Sequence, residues 1–445
     1  MQKNQVVVDI DERPSSLDPK ATWDYIGLQI LSTLRRPLLY APNIGRDDAE
    51  PAASYVEWTR TGFCLHFQTG ELATLAFDYV KYYLNECKGR FRWLLLNPLT
   101  TSKLSLGLKQ DKLYFSGITE SLFIEHVLSC PMLSGLPGPY VLQAVRDSGG
   151  CYEAVVGLDW ARLKIKNTDL LVDQITFRKY AHRDIAFSAF NRGEVNLTCN
   201  TMFSYGNIAQ VISSPAFHIE PTRIFMVITK DSPPEVNARP TALTTLNSFI
   251  NRAEISKVFN RGLRPATFLY PRSQTSDKAT YLIDDDPPSV MGDDGFKGTL
   301  SIVYNDYFPN REILEEISKS LVDHGILCEL VRDDFLNPSK RGDMRLVLVS
   351  CATLHPLEYF LPYCASVSFS KDPNTRDQYL TILEEMVKCR SASGLQALSK
   401  KATEILVKES ILLPLFEVRS LYLKDESLQH HCFLPGKVWH RTNCG

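Results

Sequence analysis

Hydrophobic and polar positions along this chain alternate between a period of two and a period of 3.6 residues, and the order of those periods is informative. Leu171 to Phe177 reads as a strand, Ile185, Ala186, Ala189 and Phe190 follow at helical spacing, and Gly193 leads into a short strand, Val195-Asn196-Leu197. A second unit repeats the pattern. Thr299 to Tyr304 predicts a strand, Asn310 a helix cap, and Ile313, Leu314, Ile317 and Leu321 one apolar helix face. Gly325 then ends that helix, and Ile326 to Val331 predicts the next strand. Strand–helix–strand crossovers build parallel or mixed sheets covered by helices, so the predicted class is α/β.

Pro240 opens a further predicted helix with Leu243, Leu246, Phe249 and Ile250 on one stripe, continued by Ile255, Val258 and Phe259 before Gly262. From Arg272 to Lys297 apolar residues are sparse, and Asp284-Asp285-Asp286, Pro287-Pro288 and Asp293-Asp294-Gly295 predict a long exposed loop. Its acids lack the alternating spacing of a calcium loop. Two more helical patterns follow, on Leu380, Leu383 and Val387 and on Leu395, Leu398, Ala402 and Ile405. A strand from Ile411 to Val418, interrupted by Pro414, comes last. No internal repeat is present.

Composition narrows the function classes. The 445 residues suffice for two or three domains or one large two-lobed unit, and Lys+Arg (49) nearly cancels Asp+Glu (51). A net charge of -2 argues against nucleic acid as the main partner, because phosphate binding needs a basic surface. No stretch approaches the roughly 18 apolar residues of a membrane-spanning helix, so no membrane insertion is expected. The first nine residues, Met1 to Asp9, lack the apolar segment of a secretory signal. The 11 cysteines, an odd number spread from Cys64 to Cys444, read as free thiols of a reducing compartment. The expected location is therefore cytoplasmic, with export and a removed leader as the alternative.

A series of fragments, in order along the chain, resembles the family 5 solute-binding proteins, the peptide- and nickel-binding receptors of bacterial ABC transporters. They are Pro14-Ser15-Ser16-Leu17-Asp18-Pro19 with the helix Tyr25 to Leu34 and Leu38-Leu39-Tyr40; Gly70-Glu71 through Ala76-Phe77-Asp78-Tyr79-Val80; Gly138-Pro139-Tyr140-Val141; and Asp184 to Leu197. Arg239 to Arg252 and Leu412-Leu413-Pro414-Leu415-Phe416 complete the series. Asn196 stands where the family usually has Asp, and Leu136-Pro137 replaces the first part of the family's Gly-Thr-Gly-Pro-Tyr turn.

The resemblance implies a bilobed, periplasmic-binding-protein-like fold (class II, cluster C type), with two lobes of mixed sheets, flanking helices and a ligand cleft between them. Lobe I would span residues 1–220, with 401–445 returning to it, and lobe II residues 221–400. Hinge closure on a ligand is what such a fold supports. Peptide receptors of the family carry a lobe II carboxylate for the ligand's ammonium group, and Glu358 is the only acid in the matching stretch, Ser350 to Leu361. The wording of Thr353 to Leu361 is closer to the cytoplasmic branch, the ligand-sensing domain of sugar-phosphate-stress-type regulators. A regulator or a transporter is the partner this implies, besides a small-molecule or peptide ligand. Thr198, Cys199, Asn200, Phe203 and Tyr205, with His355, Glu358 and Tyr359, are the implied ligand-binding positions; their aromatic faces and amides suit a neutral or amphipathic solute.

For catalysis the sequence offers little. It has no G-x-S-x-G, P-loop, G-x-G-x-x-G or H-E-x-x-H motif, and no cofactor is implied. Were the scaffold used as an enzyme on a small peptide-like or amino-acid-derived substrate, Cys351, His355 and Glu358 would be the suspects, with Cys364 nearby, since a thiolate beside an imidazole is a nucleophile with its base. The competing reading is structural: Cys351 ends a buried strand and His355 sits in the turn before Pro356. In the tail, His430, His431, Cys432, His440 and Cys444 offer nitrogen and sulfur ligands for zinc, at a spacing that matches no standard finger.

Overall fold

The computed structural model describes residues 5–19, 21–22, 24–39, 52–85, 105–117, 122–130, 135–148, 150–159, 172–181, 183–199, 211–231, 242–259, 262–271, 298–305, 309–335, 337–351, 355–368, 370, 372–428, 431–432 and 440–441. The predicted exposed loop 272–297 and Pro240 lie outside them.

Apolar alternation in Gln5–Ile10 makes β1, whose Val6, Val8 and Ile10 are all buried. The helix α1 (Tyr25–Leu34) follows, its start fixed by Asp24, whose Oδ1 accepts the Gly27 N–H at 2.7 Å. The buried Ile26 and Ile30 of α1 pack on the sheet that β1 enters. That sheet has the order β1-β8-β7-β6, with β6 Tyr140–Ser148, β7 Cys151–Leu158 and β8 Gln174–Lys179. β1 and β8 run parallel, while the β6–β7 and β7–β8 pairs are antiparallel. After β8, helix α4 (Arg183–Asn191) crosses over and ends at Gly193, whose φ of 72° is the left-handed conformation that glycine adopts without a Cβ penalty. Leu197 then forms a parallel bridge to Val8, so the first predicted crossover is present, completed by a bridge rather than a strand.

Between α1 and β6 lies a separate antiparallel sheet, β2-β3-β5-β4, made of Ala53–Trp58, Gly62–Phe67, Lys112–Ser116 and Ser105–Lys109 respectively. Helices α2 (Gly70–Asn85) and α3 (Leu122–Leu128) accompany it.

A six-stranded sheet, β10-β14-β9-β13-β11-β12, dominates the C-terminal half. Its strands are β9 Phe217–Lys230, β10 Leu263–Pro265, β11 Gly298–Asn305, β12 Ile326–Asp333, β13 Met344–Ser350 and β14 Leu412–Leu423. The second predicted crossover is seen here: β11 pairs in parallel with β12 through helix α7 (Asn310–Val322), whose Ile313, Leu314, Ile317 and Leu321 are buried. Asn310 is the first residue of that helix, with Pro309 at the cap position, and its Nδ2 donates to the Asn305 carbonyl at 3.1 Å. The apolar stripe after Pro240 splits into α5 (Ala242–Phe249) and α6 (Arg252–Val258), the second capped by Asn251, whose Oδ1 accepts the Glu254 N–H at 3.1 Å. Beyond β13 come α8 (Leu357–Phe360), α9 (Cys364–Val367), α10 (Pro373–Lys388) and α11 (Ala392–Lys408).

Two strands tie the halves together. In β14, Leu413 to Val418 pack in the core of the six-stranded sheet, whereas Leu421 to Leu423 join the apolar clusters of the β1 sheet and of α4. Its partner β9 accompanies it throughout, and the ladder runs through Pro414 with a register shift there. A second shift falls where the pair passes from one sheet to the other: Val418 faces Ile224, but Arg419 faces Pro221, which leaves Thr222 and Arg223 unmatched. Such bulges bend a ribbon and increase its local twist.

Candidate functional site

The parallel strands β1 and β8 end together at Ile10 and Lys179, and the bridge at Leu197 brings a third chain segment alongside. In open α/β sheets, ligands bind outside the carboxyl ends of such strands. Thr198 and Cys199 leave the bridge at this edge, and both are buried. Thr198 is held twice by the crossing strand: its N–H donates to the Leu423 carbonyl at 3.0 Å, and its Oγ1 accepts the Leu423 N–H at 2.9 Å. The Cys199 N–H donates to Asp9 Oδ2 at 3.0 Å. Asn196, at the family's Asp position, is part of the same stitching, since its Oδ1 accepts the Val7 N–H at 2.8 Å. Asn200, Phe203 and Tyr205 lie outside the described residues.

Asp9 was not among the residues the sequence singled out. Burial pushes its carboxyl up to about 8, against the pull of the Cys199 N–H and with a further push from Asp11. It is therefore mostly protonated at neutral pH, a carboxylic acid at the mouth of two parallel strands. A nearby ion pair joins Lys179 to Glu12.

The second group of predicted residues gathers where β13 runs into α8. Cys351 Sγ lies 3.0 Å from the His355 carbonyl oxygen and 3.2 Å from Glu358 Oε2, both as acceptors of its S–H. The spacing does bring Cys351, His355 and Glu358 together. The thiol, however, meets a carbonyl and a carboxylate, and the imidazole points elsewhere. His355 is 0% exposed; its Nδ1 accepts the Leu357 N–H at 3.2 Å, which puts the ring proton on Nε2. Its ring lies edge-on to Phe123 at 5.3 Å and to His126 at 5.9 Å between centroids. Burial, and then His126, holds His355 well below the usual imidazole range. A neutral ring that does not contact the thiol is not the imidazolium that stabilises a thiolate. Cys364 is pushed up to about 11 by burial, so it stays a thiol. Tyr359 is buried, its ring edge-on to Phe225 at 5.3 Å.

One further polar pair on this sheet escaped the sequence reading. Arg264 and Glu417 sit opposite each other in the β10–β14 register, both buried, with Nη1 to Oε2 at 3.5 Å. Glu417 is also the register partner of Phe225. Glu417 thus stands one residue before Val418, where the register shift begins, on the strand that crosses between sheets.

In the tail, β15 (His431–Cys432) pairs antiparallel with β16 (His440–Arg441), which sets Cys432 opposite His440 in register. His430 and Cys444 lie outside the described residues. No group of three or more potential metal ligands occurs among the described residues.

No protein-family model matches the chain, and no curated protein sequence matches it. Solved structures do. The periplasmic binding protein DppA from Helicobacter pylori, in complex with the peptide STSA, is 14% identical with a TM-score of 0.74, over 98% of each chain. OppA from Haemophilus influenzae, complexed with RPPGFSPFR, is 13% identical with a TM-score of 0.74, over 98% of this chain and 97% of that one. NikA from Staphylococcus aureus, in complex with Ni(L-His)2, is 10% identical with a TM-score of 0.71, over 99% and 98%. The class is thereby defined: the mixed sheets joined by β9 and β14 form the bilobed periplasmic-binding-protein fold, over nearly the whole chain.

Proposed function

We propose that this protein binds a peptide-like or other small solute in the cleft between its lobes, and acts as a receptor rather than as a catalyst. The observation that carries the reading is the crossing pair β9–β14, bent by the Val418/Arg419 register shift, in a chain that matches peptide-complexed structures end to end. A ribbon whose register shifts where it passes from one sheet to the other is a natural hinge, and closure around a solute is the motion it permits. Asp9, Thr198 and Cys199 on the first sheet, and Glu358 and Tyr359 beside the six-stranded sheet, are the side chains we assign to the two walls. Glu358 is suited to a ligand ammonium group, and Asp9 in its acid form to a hydrogen-bond acceptor.

The cysteines support a cytoplasmic setting, and with it a sensing role partnered by a regulator, over an exported transport receptor. Cys64, Cys151, Cys328, Cys364 and Cys389 are thiols outside any disulfide, which suits a reducing compartment. Cell fractionation tests this: recovery in the periplasmic or extracellular fraction would contradict it. The enzymatic alternative keeps only the Cys351–Glu358 contact in its favour, without the thiol–imidazole contact that motivated it.

Thermal unfolding against dipeptides, tripeptides and nickel–histidine tests the binding proposal. A solute at about 100 times its Kd adds roughly 2.7 kcal/mol, a rise of several degrees in Tm. No shift with any class of solute would contradict it.

A further inference from the structure

Helices α3 and α8 belong to different parts of the molecule. The C-terminal end of α3 is tied to the segment after α1, where the Leu38 and Leu39 N–H groups both donate to the Leu128 carbonyl at 3.0 Å. By contrast, α8 follows β13 of the six-stranded sheet. They meet at His355, and that contact is an odd choice for a purely apolar seam. Around it, Phe123, Ile124, Val127, Leu357, Phe360 and Leu383 are buried hydrophobics of one cluster, yet two imidazoles stand against each other within it. The Nε2 of His355 is fully buried and has no hydrogen-bond partner among the described residues. A buried polar group left in that condition costs about 1–3 kcal/mol, so packing alone would favour a phenylalanine.

We propose that the His126–His355 contact is an acid-sensitive latch between the two parts of the chain, closed while His355 is neutral and released when it is protonated. An imidazolium at His355 would be 0% exposed with the His126 ring against it, a burial that disfavours the charged form. Of the titratable groups on the elements packed here, His126 on α3, Cys351 at the end of β13 and Glu358 on α8 contact His355, and Glu125 on α3 and Tyr363 and Cys364 after α8 lie on the same segments. On α10, Tyr379 donates to the Phe360 carbonyl at 2.8 Å, while Arg376, Asp377 and Glu385 are exposed. Glu358 is the carboxyl group three residues on from His355, and its Oε2 is taken by the Cys351 thiol. Desolvation therefore dominates, in agreement with the depressed His355.

The direction of the effect follows by linkage. With the seam open, His355 returns to the ordinary imidazole value of about 6.5, while the closed seam refuses the proton. Below pH 6.5 the open form binds one proton more, and the ratio of open to closed rises by up to about tenfold per pH unit. This latch does not depend on the identity of any solute.

Amide hydrogen exchange of Leu122–Leu128 and Leu357–Phe360 between pH 7.5 and 5.5, corrected for intrinsic exchange, tests it on the whole protein. In the wild type, protection of these helices should fall by up to about tenfold between pH 6.5 and 5.5, while in His355→Phe it should stay level. Equal pH dependence in both proteins, or none in the wild type, would overturn the latch. Should His355→Phe fail to fold, the imidazole signals of wild-type His355 decide the matter. A ring that stays neutral to pH 5.5 in the protected population supports the proposal, and one that titrates near 6.5 with α3 still protected overturns it.

Discussion

Single residues carry the sharpest consequences. Asp9 keeps its proton in the folded protein up to about pH 8 but loses it near 3.8 when unfolded, so between those values the native state binds more protons. Stability conferred by this group is greatest at low pH and declines as pH rises toward 8. Asp9→Asn preserves the acceptor for the Cys199 N–H and removes the titration. Denaturant unfolding at pH 5 and pH 8 should give a decline on the order of 3–4 kcal/mol larger for the wild type than for the variant. Thr198→Val tests the stitch to the crossing strand. It leaves the buried Leu423 N–H without its acceptor and should lower stability by about 1–3 kcal/mol, measured by the same titration. Neither role was legible in the sequence. Asp9 shows there only as an acid in a valine-rich run, and its burial depends on Leu197 and Cys199 arriving from almost 190 residues away. For Cys351, His355 and Glu358 the spacing did foretell proximity. Which atom faces which was set by the turn at His355, whose carbonyl rather than its ring takes the thiol.

At the scale of elements, legibility tracked periodicity. The crossover from β11 through α7 to β12 was readable because strand and helix periods were clean and Gly325, with φ of 77°, marks the join. The β2–β5 sheet and the β6–β7 hairpin were not read, since β6 is largely exposed along its length and offers little apolar alternation. Pro414 suggested a broken strand, yet β14 continues past it to Leu423, because the register shifts at Pro414 and its neighbours stay paired to β9. The buried pair on β10 and β14 makes a prediction at this scale. Removing one partner, as in Glu417→Leu, takes the facing carboxylate from a buried guanidinium and should cost up to about 3–5 kcal/mol by chemical denaturation. The double replacement Arg264→Met with Glu417→Leu should recover most of that loss. A double variant as unstable as the single one would show that the pair does not act as a unit.

For the whole molecule, the order of weak fragments along the chain foreshadowed the bilobed fold, which likeness to solved structures at 10–14% identity now supports over nearly all residues. What the fragments did not reveal is the route of the crossing strands. Residue 220, which the sequence suggested as the end of lobe I, falls inside β9 rather than in a linker. A hinge there predicts a compaction on binding: small-angle scattering should record a smaller radius of gyration with a bound solute than without, and an unchanged radius would argue for a rigid cleft. The central claim, that this scaffold holds a solute, is tested most directly by native mass spectrometry of protein isolated from its own cell, before and after denaturation. The account predicts an intact small molecule, one per chain, released on unfolding. A chain that carries no solute and takes up none from peptide or nickel–histidine mixtures, or a solute bonded covalently to Cys351, would contradict it.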